Sequence, residues 1–404
     1  MKKDLPAEPS AATDTVAPAP EKLRLSTILV LMLMSSVTFI AILSEMVPSG
    51  VLTHISEGLN ISLSSAGQMV GVYALASAIV AIPLVTATMR FNRKPLLLWL
   101  LGGFAVSNIA VGLSDSYYLT LALRLIGGAA AGILWAMITA YGMKIVADHQ
   151  HGMAIAIIMA GNTLGVSLGM PFMTWIGNTW GWRVEFFALG SLIVLIMVLC
   201  MAFLPSVPGE KVTQANNPIA LLKNRHVLAI LLLTLLGVMA HYAVYTYITE
   251  LVSHIDFRGG IEMALLLFGI GSFVSVMLAM RYTDTALRQF TGLMFLLGAI
   301  ALAAIYLFPK VTAIIYIAFF VWGISFGPLV TMLQAAVAKH SASAKAIATS
   351  VQSSMFNFSI LLATSVGGFL LTKSGIMAVV LLAVALLVPA TLISYSAKST
   401  LGEK

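Results

Sequence analysis

Leu121–Trp135, LALRLIGGAAAGILW, sets one arginine and a run of small residues inside a long apolar stretch. Arg124 is the only Lys or Arg between Lys94 and Lys144. A guanidinium stays charged under all ordinary conditions. Putting it in hydrocarbon costs at least ~2.5–3.5 kcal/mol on insertion scales. That cost falls only if Arg124 faces a watery cavity or a buried acid. Gly127, Gly128, Ala129–Ala131 and Gly132 then let neighbouring helices approach closely. A helix of this kind lines a polar interior within a membrane bundle.

Working outward, the whole chain has the same character. Of 404 residues 60% are hydrophobic and only 9% charged, and apolar stretches of about 20 residues recur from end to end. The pattern predicts an all-α membrane protein of twelve transmembrane helices in two six-helix halves. The spans run 25–54, 65–89, 95–114, 117–146, 152–178, 185–204, 225–250, 262–281, 286–308, 311–338, 343–371 and 375–397. Residues 1–22 read as a disordered cytoplasmic tail, 23–204 as the first half, 205–224 as a polar linker, 225–398 as the second half and 399–404 as a tail. The stretch after Arg24 lacks a signal-peptide cleavage pattern and is expected to remain as the first span.

An even span count puts both termini on one side. With that side in the cytoplasm, 17 of the 22 Lys and Arg fall inside, while Arg183, Arg258, Lys310 and Lys373 fall outside and Arg124 lies in the membrane. This bias orients the chain and explains the net charge of +7 without nucleic acid. A single cysteine, Cys200, excludes an intrachain disulfide and any multi-cysteine metal site. The chain has no Gly-Lys dipeptide, hence no ATP-binding phosphate loop, and no His-Glu-x-x-His. An enzyme is not expected, nor is a cofactor or a metal.

Glu45 lies in the outer half of the first span, in SEMVPSGVL. It reads as a proton-binding carboxyl in the cavity or as an interfacial acid near a helix end. His241 sits in the seventh span, in AHYAVYTYITEL, one turn from Tyr245 on the same face and next to Tyr242. Ionisable residues within membrane helices are functional candidates, and Tyr hydroxyls suit a hydroxylated ligand; a His hydrogen-bonded inside the bundle is the plain alternative. Trp135, Asn162, Gln334, Gln352 and Asn357 are further candidates to line a cavity, each equally able to serve packing or interhelical bonding. Asp115, Glu185 and Glu250 fall near loop ends, and Glu250, Asp256 and Glu262 read as solvated.

Several of these stretches resemble the major facilitator superfamily. Leu123–Gly128 looks like its fourth-helix arginine motif. Gly161–Pro171, GNTLGVSLGMP, is similar to the fifth-helix glycine motif of its antiporters, with Val166 where a Pro is usual. Glu45–Pro48 resembles the first-helix acidic motif of the drug:proton antiporter branch. Arg90, Arg93 and Lys94 match the basic positions of its cytoplasmic signature, with Met89 and Asn92 replacing the usual Asp and Gly. Glu45–Leu52, Trp135, Gly181-Trp182-Arg183 and His241-Tyr242 look closest to bacterial sugar-efflux transporters of the arabinose-efflux type. The resemblance implies a major facilitator fold, export by exchange, and gating by Gly161, Gly165, Gly169, Pro171 and the basic loop. Relatives with similar motifs export nucleosides or chloramphenicol-like drugs, so it leaves the substrate open.

The expectation is a proton-driven exporter of a small organic solute in a bacterial inner membrane. It works by alternating access, as a monomer, with protons and lipid as its other partners. Glu45 and Arg124 carry proton coupling, while Arg124, Trp135, Asn162, His241, Tyr242, Tyr245, Gln334 and Asn357 face the solute. A sugar uniporter or proton symporter and a non-transporting sensor or scaffold are the alternatives. In a Cys200→Ser background, an impermeant thiol reagent should label a cysteine at position 216 only from the cytoplasm and one at position 115 only from outside. Labelling of both from one face would contradict the twelve-span reading.

Overall fold

The computed structural model describes residues 24–209, 223–282, 286–340 and 345–401. The first tail, most of the 205–224 linker with Asn216, Asp284 and the last three residues lie outside the described residues. Among those described there is no strand, and twelve helical stretches are long and apolar enough to cross a membrane. They form two halves of six. The first half comprises Leu25–Gly50, Leu63–Thr88, Arg93–Leu113, Tyr117–Met143, His151–Trp180 and Trp182–Phe203. The second comprises Arg225–Tyr245, Gly260–Tyr282, Leu287–Leu307, Thr312–Phe326 continued by Leu329–Lys339, Lys345–Ser374 and Ile376–Ser396. Large side chains such as Trp99, Leu113 and Leu199 point outward from this bundle, as lipid contact requires.

Three spans are not continuous helices. The first ends at Gly50 instead of 54: Val51 leaves helical geometry at φ −129°, ψ 25°, and a separate helix Leu52–Gly58 follows. The seventh ends at Tyr245 instead of 250 and is followed by Ile248–His254. The tenth is interrupted at Gly327-Pro328, where proline lacks an N–H and cannot continue the hydrogen-bond ladder. The fifth carries one π turn over Gly165–Gly169 and continues unbroken through Pro171, which sits where a helix start tolerates it.

The two halves repeat the same joints. Each short helix after spans one and seven is seven residues long. Each is followed by a left-handed residue, Asn60 at φ 53° and Asp256 at φ 51°, the residue types that tolerate that region best. A single glycine joins spans five and six, Gly181 at φ 97°, and likewise spans eleven and twelve, Gly375 at φ 79°; an L side chain is strained there. These joints lie on the face away from the chain termini, called here the distal face.

Close approach follows the small residues. A Cβ on Gly128 would overlap the Tyr73 carbonyl, so the fourth span packs backbone to backbone on the second. In the second half, Gly323 makes the same approach to the Phe268 carbonyl. The fifth span lies on the first: a Cβ on Gly161 would overlap the Ser35 carbonyl, and one on Gly169 would press on the side chains of Phe39 and Leu43. Backbone cannot yield where side chains can. Gly161→Ala is therefore expected to lower the melting temperature of the purified protein, by about 1–3 kcal/mol of overpacking, and Gly169→Ala to cost clearly less. Equal losses would show that this packing does not discriminate the two positions.

Candidate functional site

Pro48 determines the local structure around Glu45. It has no N–H to give Ser44, four residues earlier, so the Ser44 carbonyl lacks its helical donor. Arg124 supplies one. Its Nη1 donates to the Ser44 carbonyl, its Nη2 to the Glu45 carbonyl at 2.9 Å, and its Nε to the Met69 carbonyl of the second span at 3.0 Å. The guanidinium lies over the Tyr73 ring at 4.3 Å, a cation–π contact. Asn108 of the third span fixes the Ser44 hydroxyl at 2.7 Å. Arg124 is 0% exposed. The expected watery cavity or acid partner is thus replaced by three backbone carbonyls and an aromatic face. Arg124 and Glu45 meet through Glu45's backbone, and no ion pair between them is recorded among the described residues.

The Glu45 side chain points elsewhere. It is 4% exposed, and the Tyr242 hydroxyl donates to its Oε1 at 3.3 Å. That bond crosses from one half to the other. Beside Tyr242, His241 stacks on Phe326 with ring centroids 3.5 Å apart and planes 11° from parallel. Phe268, Trp322 and Tyr245 complete the surround at 5.0–5.4 Å. Neither nitrogen of His241 has a hydrogen-bond partner among the described residues, nor do the hydroxyls of Tyr245 and Tyr73. Buried polar atoms without partners are costly. Here they are donors and acceptors that a polar solute would satisfy, next to aromatic faces that would cover its apolar side.

The other sequence candidates are less concentrated. Trp135 is half-buried against the core, and Asn162 and Gln334 are half-buried. Asn357 donates to Ser353 within its own helix at 2.9 Å. Gln352 is buried with neither amide atom bonded among the described residues; its type and position gave it no priority over the other amides. Arg90 lies over Phe91, the Arg93 backbone donates to Val207, and Lys144 reaches Pro208. The basic loop is thereby tied to the start of the inter-half connection. Glu262, read as solvated, accepts from Asn178 at 2.6 Å, and Glu185, read as near a loop end, is fully buried. Gly165–Gly169 also spells Gly-x-Ser-x-Gly, the lettering of a hydrolase nucleophile turn. Ser167 lies inside a helix, however, and donates to the Gly269 carbonyl of the other half at 2.7 Å.

The halves meet at the distal face. Tyr247 fits over Gly67 of the second span and donates to the Thr364 carbonyl at 2.7 Å. Gly368 leaves room for Ser64, and Asn178 bonds Glu262. Further toward the termini Ser354 reaches the Ala78 carbonyl at 3.3 Å.

Residues 34–364 match the family model described as Major Facilitator Superfamily. A protein of Mannheimia succiniciproducens named "Probable sugar efflux transporter" is 26% identical over 330 residues, covering 81% of this chain and 83% of that one. "Inner membrane transport protein YdhP" of Escherichia coli K12 is 28% identical over 332 residues, covering 80% and 84%. Among solved structures, a mutant of the nucleoside transporter NupG superposes with a TM-score of 0.72 at 15% identity, over 92% of this chain and 99% of that one. A bacterial homologue of the human lysosomal transporter Spinster gives 0.69 at 14% identity, over 94% and 98%.

The clamp on the first span is testable by a double-mutant cycle. Arg124→Lys keeps the charge but loses the fork that reaches two spans, at about 1.5–3 kcal/mol for each bond lost to a charged group. Pro48→Ala returns an N–H to the Ser44 carbonyl. The lysine substitution is therefore expected to lower the melting temperature less in the alanine background than in the parent. Strict additivity would show that the two residues do not share that carbonyl.

Proposed function

This chain belongs to the Major Facilitator Superfamily, and on that premise we propose that it exports a small hydroxylated solute, a sugar or sugar-like molecule, in exchange for protons. It is a multi-pass membrane transporter and not an enzyme. The observation that carries the reading is the Glu45–Tyr242 bond. A buried carboxyl, left outside any ion pair with Arg124, has its recorded side-chain partner on the opposite half. A neutral carboxyl fits such a seam at little cost, whereas an ionised one has to be solvated or paired. Proton binding at Glu45 and closure of the distal face therefore favour each other.

The cycle follows from that linkage. Glu45 takes a proton while the distal side is open, the halves close over it, and solute arriving from the terminal side displaces the proton. In this reading the protonated return state is the one closed at the distal ends. Arg124 holds the first span in the shape that aims Glu45 at Tyr242. His241, Tyr242 and Tyr245 contact the solute, with Phe326, Phe268 and Trp322 stacking on its apolar face. Asn162, Gln334 and Asn357 add amides to the solute's contacts in this reading, and the fifth-span glycines and basic loop carry the gating movement. Both termini face the cytoplasm of a bacterium, and the unit is a monomer. The names of the sugar-efflux relatives support the solute class.

Two measurements separate this from its competitors. Collapse of the pH gradient should abolish concentrative efflux from an antiporter and leave a uniporter running downhill. Glu45→Gln, which mimics the protonated acid, should still bind solute in detergent but release no proton when solute is added to weakly buffered protein. Parental proton release from that variant would transfer the coupling role to another group, His241 first.

A further inference from the structure

The proposed cycle does not use one buried acid. Glu185 lies in the first turn of the sixth span, is 0% exposed, and has no hydrogen-bond partner at either carboxyl oxygen among the described residues. Its place is made by Gly177 of the fifth span. A Cβ there would run into Glu185 Oε2 and crowd Val51 Cγ1. One turn earlier on the same face, Thr174 fills the space left by Gly50, and its hydroxyl is also buried without a partner among the described residues. The carboxyl therefore sits behind the break in the first span.

On the other side of that break is a cavity of about 250 Å³ at the distal face, between the two halves. Gly50, Val51, His54 and Asn178 line it from the first half, and Thr249 and Ser253 from the second. The Thr249 hydroxyl is likewise buried without a partner among the described residues. Val51 belongs both to the cavity wall and to the packing around Gly177 and Glu185. The cavity is open at the distal surface, so the Val51 side chain is the barrier between distal solvent and the packing around Glu185.

We propose that Glu185 is a second proton-binding site, loaded from the distal side through this cavity and distinct from Glu45. An ionised carboxylate with no donor and no cation has no means of compensating its desolvation in a membrane bundle. The charged and titratable groups around it do not supply one. Arg183, on its own helix, is paired with Asp115, bonded to the Ser114 carbonyl and stacked on Trp182. The first span offers Glu45, and the short helix after it His54 and Glu57. Glu262 of the eighth span accepts from Asn178. The third span, along which the sixth packs, carries its charges, Arg93 and Lys94, at the opposite end. Glu185 thus holds its proton while the distal seam is shut and exchanges it with water when the seam opens.

The inference rests on proton coupling only for its place in the cycle, so the first test is independent of transport. Infrared difference spectra of purified parent, Glu185→Gln and Glu45→Gln protein, taken between acid and alkaline pH, should contain a protonated-carboxyl carbonyl band that the Glu185 variant lacks and the Glu45 variant keeps. A spectrum unchanged by Glu185→Gln overturns the proposal, whereas the band in a parent that moves no protons would overturn antiport and leave this site standing. In liposomes, Glu185→Gln should keep the parental melting temperature and solute binding, halve the protons moved per solute and flatten the pH profile of efflux. Glu185→Asp should restore part of both. A parental proton ratio and pH profile in Glu185→Gln would show that the acid is buried packing alone.

Discussion

The bond from Arg124 to the Ser44 carbonyl is the contact on which the site depends. A proline in the first span leaves that oxygen without a donor, and an arginine three helices away supplies it. Each offsets a cost of the other: the proline leaves a carbonyl short of a donor, and the arginine brings a charge that needs acceptors. Together they fix the height at which the first span breaks, the rotation of Glu45 just before the break, and the approach of the fourth span to the second at Gly128. The backbone-to-backbone contact there brings the guanidinium within reach of both spans. The glycine run and the arginine are one device, since a bulkier fourth span would hold Arg124 away from the carbonyls it bonds.

The division of labour between the halves follows. Charge and backbone capping are concentrated in the first half, aromatic faces and unpartnered ring atoms in the second. The side-chain bonds recorded between them, among the described residues, include Tyr242 to Glu45, Ser167 to Gly269, Asn178 to Glu262 and Ser354 to Ala78. Each donor is a neutral group, and none of the four is a salt bridge. A seam of hydroxyls and amides against carbonyls and carboxyls gives up little when water replaces it. In the proposed cycle the halves separate, and a seam of this kind suits that better than desolvated ion pairs would.

Composition and charge made the fold legible. Apolar stretches at membrane length gave the number of spans, and Arg124 among small residues marked the helix that the site is built on. Glu45 and His241 stood out as titratable groups deep in spans. The sequence did not carry how they are partnered. Nothing in the letters said that Arg124 would bond carbonyls instead of the Glu45 carboxylate, because backbone acceptors have no residue identity. Pro48, whose missing N–H frees the Ser44 carbonyl, was the available signal. Glu185 does stand in the first turn of its span, near a loop end; what the letters did not carry is its burial, which depends on the gap that Gly177 leaves in the neighbouring helix.

The internal repeat was the hardest feature to see, because the halves share conformations and not residues. Asn60 answers Asp256 and Gly181 answers Gly375 in backbone angle. Aligned on the two short helices after the breaks, Glu45 stands as far before Leu52 as His241 stands before Ile248, so the two deep titratable groups occupy the same place in the two halves. Pro48 then aligns with Val244. Aligned on the equivalent contacts of Gly128 and Gly323, Arg124 corresponds to Phe319. The second half has therefore lost both partners of the clamp at once. With a valine N–H available at position 244 there is no freed carbonyl, no arginine is required, and an aromatic residue fills the position. His241 consequently sits among rings where Glu45 sits beside a guanidinium. On the proposed reading the same fold position binds a proton in one half and a solute in the other, and the Glu45–Tyr242 bond is where the two meet.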